Sequence, residues 1–281
     1  MLLLLAGTAW GGDFEDGEAA YLKNNYSVAI AKFKLAAAQG HAKAQFNIGV
    51  MYDTGQGVIQ DYAEALKWYK LAAAQGHAGA QFNIGTMYDK GRGVIQDYAE
   101  ALQWLKLAAA QGDAKAQSNI GVMYGNGRGV IQSYAEAFKW FKLAAAQGHA
   151  KAQYNIGIMY GNGQGVIQDY AEALQWFKLA AAQGHADAQF NIGVMYRKGE
   201  GVIQDYVRAH MWYNLSAAGG NADVAKDRDL VAAKMTTQQI AEAQKLAREC
   251  QASNFKHCDW MLFKSVILIT EGDKHKRRCD T

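Results

Sequence analysis

One segment of the chain is written five times over. Ala42 to His77 reads AKAQFNIGVMYDTGQGVIQDYAEALKWYKLAAAQGH, and near-copies begin at Ala78, Ala114, Ala150 and Ala186, always 36 residues further on. A fixed period of this size means stacked supersecondary units: one unit cannot bury its own apolar face, whereas neighbours of the same kind bury it together. The chain therefore grows by adding units rather than by closing on a single core. Repetition also bears on function. A catalytic centre needs different side chains converging on one point, and near-identical units offer a long repeated surface instead.

Within a copy, Ala44, Ile48 and Tyr52 fall at helical spacing and form one face of a first helix, helix A. Gly49 sits among them. A glycine inside a helix costs about 1 kcal/mol against alanine, so a close approach by a neighbouring helix is expected there. Helix A should stop near Asp53, because Gly55 and Gly57 supply the permissive dihedrals of a loop. Asp61 is placed to cap a second helix, helix B, and Glu64 three residues later completes a capping box. Helix B carries Ala65, Trp68, Leu71 and Ala72 toward the core. Gly76 ends it in the left-handed region, and His77 caps the next helix A. Each copy reads as an antiparallel helical hairpin.

Residues 12–41 form an incomplete first unit whose two helices meet at a short turn, Lys23 to Asn25. The full repeats occupy 42–221, and 222–252 follow as C-terminal capping helices with Ile240, Ala243 and Leu246 to bury. Residues 253–281 read as a poorly ordered tail carrying the basic cluster KHKRR, for which contact with an anionic membrane surface or another chain is the alternative role. The start, 1–11, has an apolar run at Leu2 to Leu5 and then small residues at Ala6, Gly7 and Ala9, as at the end of a secretory signal, although no Lys or Arg precedes the run. The expectation is a periplasmic or secreted protein, with a cytoplasmic one as the alternative. Cys250 and Cys258 are the candidate disulfide in an oxidising compartment; free thiols are the alternative. No apolar run approaches the ~18 residues of a membrane-spanning helix. The formal net charge of +3 is too balanced to point to nucleic acid.

The motif A-x-A-Q-x-N-I-G-x-M-Y-x-x-G-x-G-V, followed by D-Y-A-E-A-x-x-W-x-x-x-A-A-x-x-G, resembles the Sel-one-like repeat family, a relative of the tetratricopeptide repeats. The match covers about Gly12 to Asn221. The chain departs from the family in one respect: Ile59, Ile95, Ile131, Ile167 and Ile203 stand where proline often follows the loop valine. The resemblance implies an all-α, right-handed α/α superhelical solenoid of antiparallel hairpins, with helix A lining the concave side. It also implies a non-enzymatic scaffold that binds a protein or peptide, without cofactor.

Setting copy against copy divides the residues of helix A. Ala44, Gln45, Asn47, Ile48, Gly49, Met51 and Tyr52 are identical in all five copies. The second, fifth and ninth positions vary, as do the two at the loop, Asp53 and Thr54 in the first copy. All of these share one helical face, away from the invariant stripe. The face carries Lys43, Phe46, Val50 and Asp53; Phe82 and Thr86; Ser118 and Val122; Tyr154 and Ile158; Phe190 and Val194. By the family's geometry this is the concave face and the candidate partner-binding surface, an apolar and aromatic groove suited to a helix or extended peptide. The competing reading is that these rings pack against the adjacent helix A. Ser118 breaks the stripe.

Other chemistry is not supported. His41, His77, His149 and His185 recur at one point of the repeat, with Asp113 in the same row. Metal ligands lie about 2 Å from their ion, whereas packed helices are about 8–10 Å apart, so capping is the better role. Asp61 and Glu64 recur in near-identical surroundings, which does not separate a catalytic acid from a base. Ser253 and Lys256 make one S-x-x-K, the opening of the serine β-lactamase signature, but S-D-N and K-T-G are missing. A β-lactamase or cell-wall hydrolase, as some cysteine-rich relatives are described, is the enzymatic alternative. A self-associating structural spacer is the remaining one.

Overall fold

The computed structural model describes residues 10–221, 224–255 and 258, and all regular structure among them is helical. The chain divides into two compact units, Met1–His149 and Ala150–Thr281. In the first, α1 (Trp10–Leu22) pairs with α2 (Tyr26–Ala38), α3 (Ala42–Thr54) with α4 (Tyr62–Ala74), α5 (Ala78–Lys90) with α6 (Tyr98–Ala110), and α7 (Ala114–Asn126) with α8 (Tyr134–Ala146). In the second, α9 (Ala150–Asn162) pairs with α10 (Tyr170–Ala181) and α11 (Ala186–Lys198) with α12 (Tyr206–Ala218). Then α13 (Val224–Ala232) and α14 (Thr237–Ala252) both pack on α12. Helix B of one hairpin also packs on helix A of the next, as α2 does on α3 and α10 on α11.

The invariant stripe holds each hairpin together. Ala44, Ile48 and Met51 are fully buried, and so are their counterparts in α9, Ala152 and Ile156. Gly49 is where helix B comes closest: a Cβ there would lie 2.5 Å from the Tyr69 ring, so only glycine allows this approach. Beyond helix A, Gly57 at φ +73° presses the loop onto the start of the preceding helix B. A Cβ there would meet the Tyr26 backbone at 2.9 Å. The glycines of the motif thus set the spacing between helices as well as the turns.

Glutamines lock the hairpins. Gln45 is buried; its amide donates to Ala37 O in the preceding helix B at 3.4 Å, and its Oε1 accepts from Gln75 Nε2 at 2.8 Å. The same pair forms between Gln111 and Gln81, Gln147 and Gln117, and Gln183 and Gln153. Burying an amide is costly unless both its ends are bonded, which the pair achieves. The series ends at Gln189, whose buried Oε1 has no partner among the described residues; glycine, Gly219, stands where the next glutamine would be.

Two local expectations are corrected. The core face of helix B is Ala65, Leu66, Tyr69, Ala72 and Ala73, with Trp68 half-buried and Leu71 half-exposed at 49%. Leu71 lies two residues beyond Tyr69, about 200° around the helix, and so faces away from both helices that flank it. The capping box at Asp61 is half made. Asp61 Oδ1 accepts from the Glu64 amide at 3.0 Å, but the Asp61 amide is already donated to Tyr52 O, and Glu64 pairs with Lys67. A complete box forms instead at Thr236 and Gln239, at the start of α14.

The caps otherwise follow the sequence reading. His41, His77 and His185 accept the third amide of the next helix A on Nδ1, at 3.2–3.3 Å, and Asp113 does the same with a carboxylate at 2.8 Å. In α14, Ala243, Ala247 and Cys250 are buried, while Ile240 and Leu246 are half-buried. Cys250 and Cys258 form a disulfide, with Cα atoms 4.7 Å apart. Ser253 caps α14 and donates its hydroxyl to Cys250 O at 2.8 Å; Lys256, the other half of the S-x-x-K, lies outside the described residues. The export-signal reading falls almost entirely on 1–9, which also lie outside them, as does all of 259–281.

Candidate interaction surface

Helix A has its buried stripe centred on Ile48, so the second, fifth and ninth positions emerge on the far side. They are not equally exposed. Lys43 stands in solvent, whereas Phe46 and Val50 are half-buried. The Phe46 ring stacks on the His77 ring, centroids 4.5 Å apart and planes 22° apart, and is tilted on Tyr69 at 5.8 Å. Tyr154 repeats this arrangement with His185 and Phe177, and Phe14 stacks on His41. Phe46 and Tyr154 thus each have one face on the histidine that caps the next helix A. The packing reading of the aromatic stripe holds at these positions, where the rings tie neighbouring repeats together and stay only half-buried.

The uncovered parts form clefts. In the first unit a cleft of about 340 Å³ opens between α1 and α3, lined by Glu18, Tyr21, Leu22, Phe33, Phe46, Asn47 and Val50. In the second unit a cleft of about 420 Å³ is lined by Tyr154, Ile158, Phe190 and Asn191, with Asp187, Asn221 and Asp227. Beside it a cleft of about 220 Å³ shares Ile158 and Asn191 and adds Val194, Lys198 and Glu200 among others. Of the predicted residues, the structure brings Phe46 and Val50 to the first cleft and Tyr154, Ile158, Phe190 and Val194 to the other two. Phe82, Thr86 and Val122 are half-buried, and the Thr86 hydroxyl is spent on Phe82 O at 3.0 Å. Ser118 is 1% exposed and offers a partner no surface, because so short a side chain lets its neighbours close over it. Asp53 is half-buried and accepts from the Tyr69 hydroxyl at 3.4 Å.

The sequence reading left the asparagine out of the named surface positions. Asn47 and Asn191 line clefts, although their invariance assigned them to the stack. The signal was present: Asn47 lies four residues after Lys43 and three before Val50, on the same side of the helix. Burial, with Asp187 adding to it, pushes the pKa of the Tyr154 hydroxyl up, and the Asn191 side chain works against them. Tyr69 is pushed well above the usual tyrosine range, first by burial and then by Asp53, with Asn83 opposing. Both tyrosines stay neutral, so Tyr154 brings no charge to the cleft it lines. Among the described residues no His, Cys, Asp and Glu side chains gather into a metal site, and no helix is long and apolar enough to cross a membrane.

The model of the Sel1 repeat matches six consecutive segments, 12–41, 42–77, 78–113, 114–149, 150–185 and 186–221. The chain belongs to the Sel1 repeat family. Its members generally act as non-catalytic scaffolds for protein–protein interaction. A solved Sel1 repeat protein from Oxalobacter formigenes is 36% identical, with a TM-score of 0.73 over 77% of this chain and 86% of that one. A protective antigen of uropathogenic Escherichia coli with the same fold is 34% identical, with a TM-score of 0.75 over 86% of this chain. The match spans about half of that antigen, 53% of its length. No curated protein matches the chain significantly. The solenoid of helical hairpins is therefore the family's own fold, and in this chain the loop isoleucines Ile59, Ile95, Ile131, Ile167 and Ile203 are each 90–92% exposed.

Proposed function

We propose that this Sel1 repeat protein is a docking scaffold whose helix A face holds a segment of a protein partner, with that face concave as in its family. The observation that carries this reading is the position of the clefts. In both units they open onto the fifth and ninth positions of helix A, where the copies differ, and each has an invariant asparagine at its edge. Rings and branched side chains supply the apolar area that gives affinity. An asparagine amide, donor and acceptor at once, matches a peptide group in an extended segment. Differences among copies give each cleft its own shape, which is how one register of the segment is preferred over another.

Affinity capture with the full chain tests this reading. Val50→Glu with Val194→Glu places a charge in a cleft of each unit, and Leu71→Glu with Leu107→Glu does the same on the half-exposed side of helix B. The groove pair should lose the captured partner and the helix B pair should keep it. The reverse pattern would remove the assignment. We place the protein in an exported, oxidising compartment, for which the Cys250–Cys258 disulfide is the support. Thiol trapping in fractionated cells tests that placement; both thiols free in the native compartment would contradict it.

A further inference from the structure

One cleft of the second unit has a charge that the rest of the repeat does not carry. The second position of helix A is Lys43, Lys115 and Lys151 in three copies and Gly79 in a fourth, but Asp187 in the last. Thirty-six residues beyond Asn191, where the invariant asparagine would recur, stands Asp227. These two departures come from different helices, α11 and α13, and the fold brings both to the cleft walled by Tyr154, Ile158 and Phe190. None of the side chains lining that cleft is cationic.

The carboxylates are only lightly engaged. Asp187 is exposed and accepts one long bond, 3.4 Å, from Asn221 Nδ2. Asp227 lies 3.9 Å from Arg197 Nη2, and Arg197 donates through Nε to the Tyr213 hydroxyl at 3.2 Å. Lys151 is exposed and is not part of the lining. An apolar, ring-walled cleft with carboxylates at its rim suits one kind of side chain. A lysine or arginine lays its methylene stem on apolar surface and keeps its charged head at the edge. The faces of aromatic rings attract the same head.

We propose that this cleft receives a lysine or arginine of the bound segment, its stem against Tyr154 and Phe190 and its charge between Asp187 and Asp227. The inference rests on helix A being the docking face and adds what the segment must carry there. It also gives the groove a polarity. A cation is welcomed beside Asp187 and opposed at the repeats that carry lysine at the same position, so one register of the segment is preferred.

The test is a selection of random twelve-residue peptides displayed on phage against the full chain. Enriched peptides are then synthesised with a fluorescent label and titrated by anisotropy. They should contain a lysine or arginine beside apolar residues, and replacing that residue by norleucine should weaken binding at least tenfold. Asp187→Lys with Asp227→Asn installs residues the chain already uses at these positions in other repeats, so the fold is kept. This variant should bind at least tenfold more weakly and lose most of the salt dependence between 50 and 300 mM. Ile158→Glu separates the two readings. If Ile158→Glu abolishes binding while Asp187→Lys/Asp227→Asn leaves it unchanged, or if enriched peptides are acidic or uncharged, the cation site is wrong and the groove stands. If neither variant changes binding, or no peptide is enriched, both fall.

Discussion

The chain contains its own control for the role of the repeated histidine. His77 accepts the Ala80 amide on Nδ1 at 3.2 Å and stacks on Phe46, while Asp113 makes the same cap at 2.8 Å without a ring. His77→Ala removes both contributions: about 1 kcal/mol for the cap and about 0.5–1.5 kcal/mol for the ring pair, near 2 kcal/mol in all at pH 7.5. His77→Asp loses the ring but keeps the cap. It also gains about 0.3–1 kcal/mol from a carboxylate at a helix N-terminus, with Lys43 close by, and should lie within about 1 kcal/mol of the wild type. The two must diverge in acid. Burial holds His77 below the usual 6.5, with Lys43 adding to the effect, and burial does the same at His185, where Lys151 also lowers and Asp187 opposes. A histidine with a lowered folded-state pKa takes up its proton first in the unfolded chain. Its stabilisation is therefore complete above about 6.5 and is lost as the pH falls below that toward the folded value, where the protonated Nδ1 can no longer accept. Urea unfolding followed by helical circular dichroism, at pH 7.5 and 5.5, measures this. His77→Asp should lose less stability between the two pH values than the wild type. Equal losses, or a cost below about 0.3 kcal/mol for His77→Ala at pH 7.5, would refute the capping argument.

Three other outcomes follow from the packing. Gly157→Ala puts a methyl 2.6 Å from the Phe177 ring and should destabilise by about 1–2 kcal/mol in urea, overpacking outweighing the gain in helix propensity. Gly125→Ala meets only Ala137, at 3.8 Å, and should stabilise by up to about 1 kcal/mol in the same assay. Reducing the Cys250–Cys258 disulfide, which spans a sequence separation of 8, should lower the stability of the second unit by about 2–3 kcal/mol. Equal midpoints with and without reductant would show that the bond does not hold α14 in place.

Much of the fold can be read from the period, the glycines and the caps, because each acts over a few residues. His77 and Gly76 announce a helix boundary, and Gly49 a close contact, before any neighbour is known. What could not be read depends on a third element. Leu71 has the chemistry of a core residue, and only the position of the flanking helices turns it outward. The half-made capping box depends on Tyr52 O having taken the Asp61 amide first. The end of the array had a signal that went unused. In α12, Met211 and Asn214 replace the outward lysines of helix B, Lys67 and Lys70, and Met211 and Leu215 are buried where α13 and α14 cover them. At the clefts, variation among copies pointed to the apolar walls, because it marks positions that the stack leaves free to change. It could not find Asn47 and Asn191, which are the same in every copy, or Asp227, which lies beyond the last copy.

The central claim concerns which surface the partner touches, and methyl NMR addresses it directly. With isoleucine and valine methyls labelled, the chain is titrated with the protein it captures. The methyls of Val50, Ile158 and Val194, which line the clefts, should shift or broaden. Those of Ile59, Ile95, Ile131, Ile167 and Ile203, which stand out in solvent on the loops, should not move. Shifts confined to the loop isoleucines, with the cleft methyls unchanged, would contradict the account and move the docking surface from helix A to the loops.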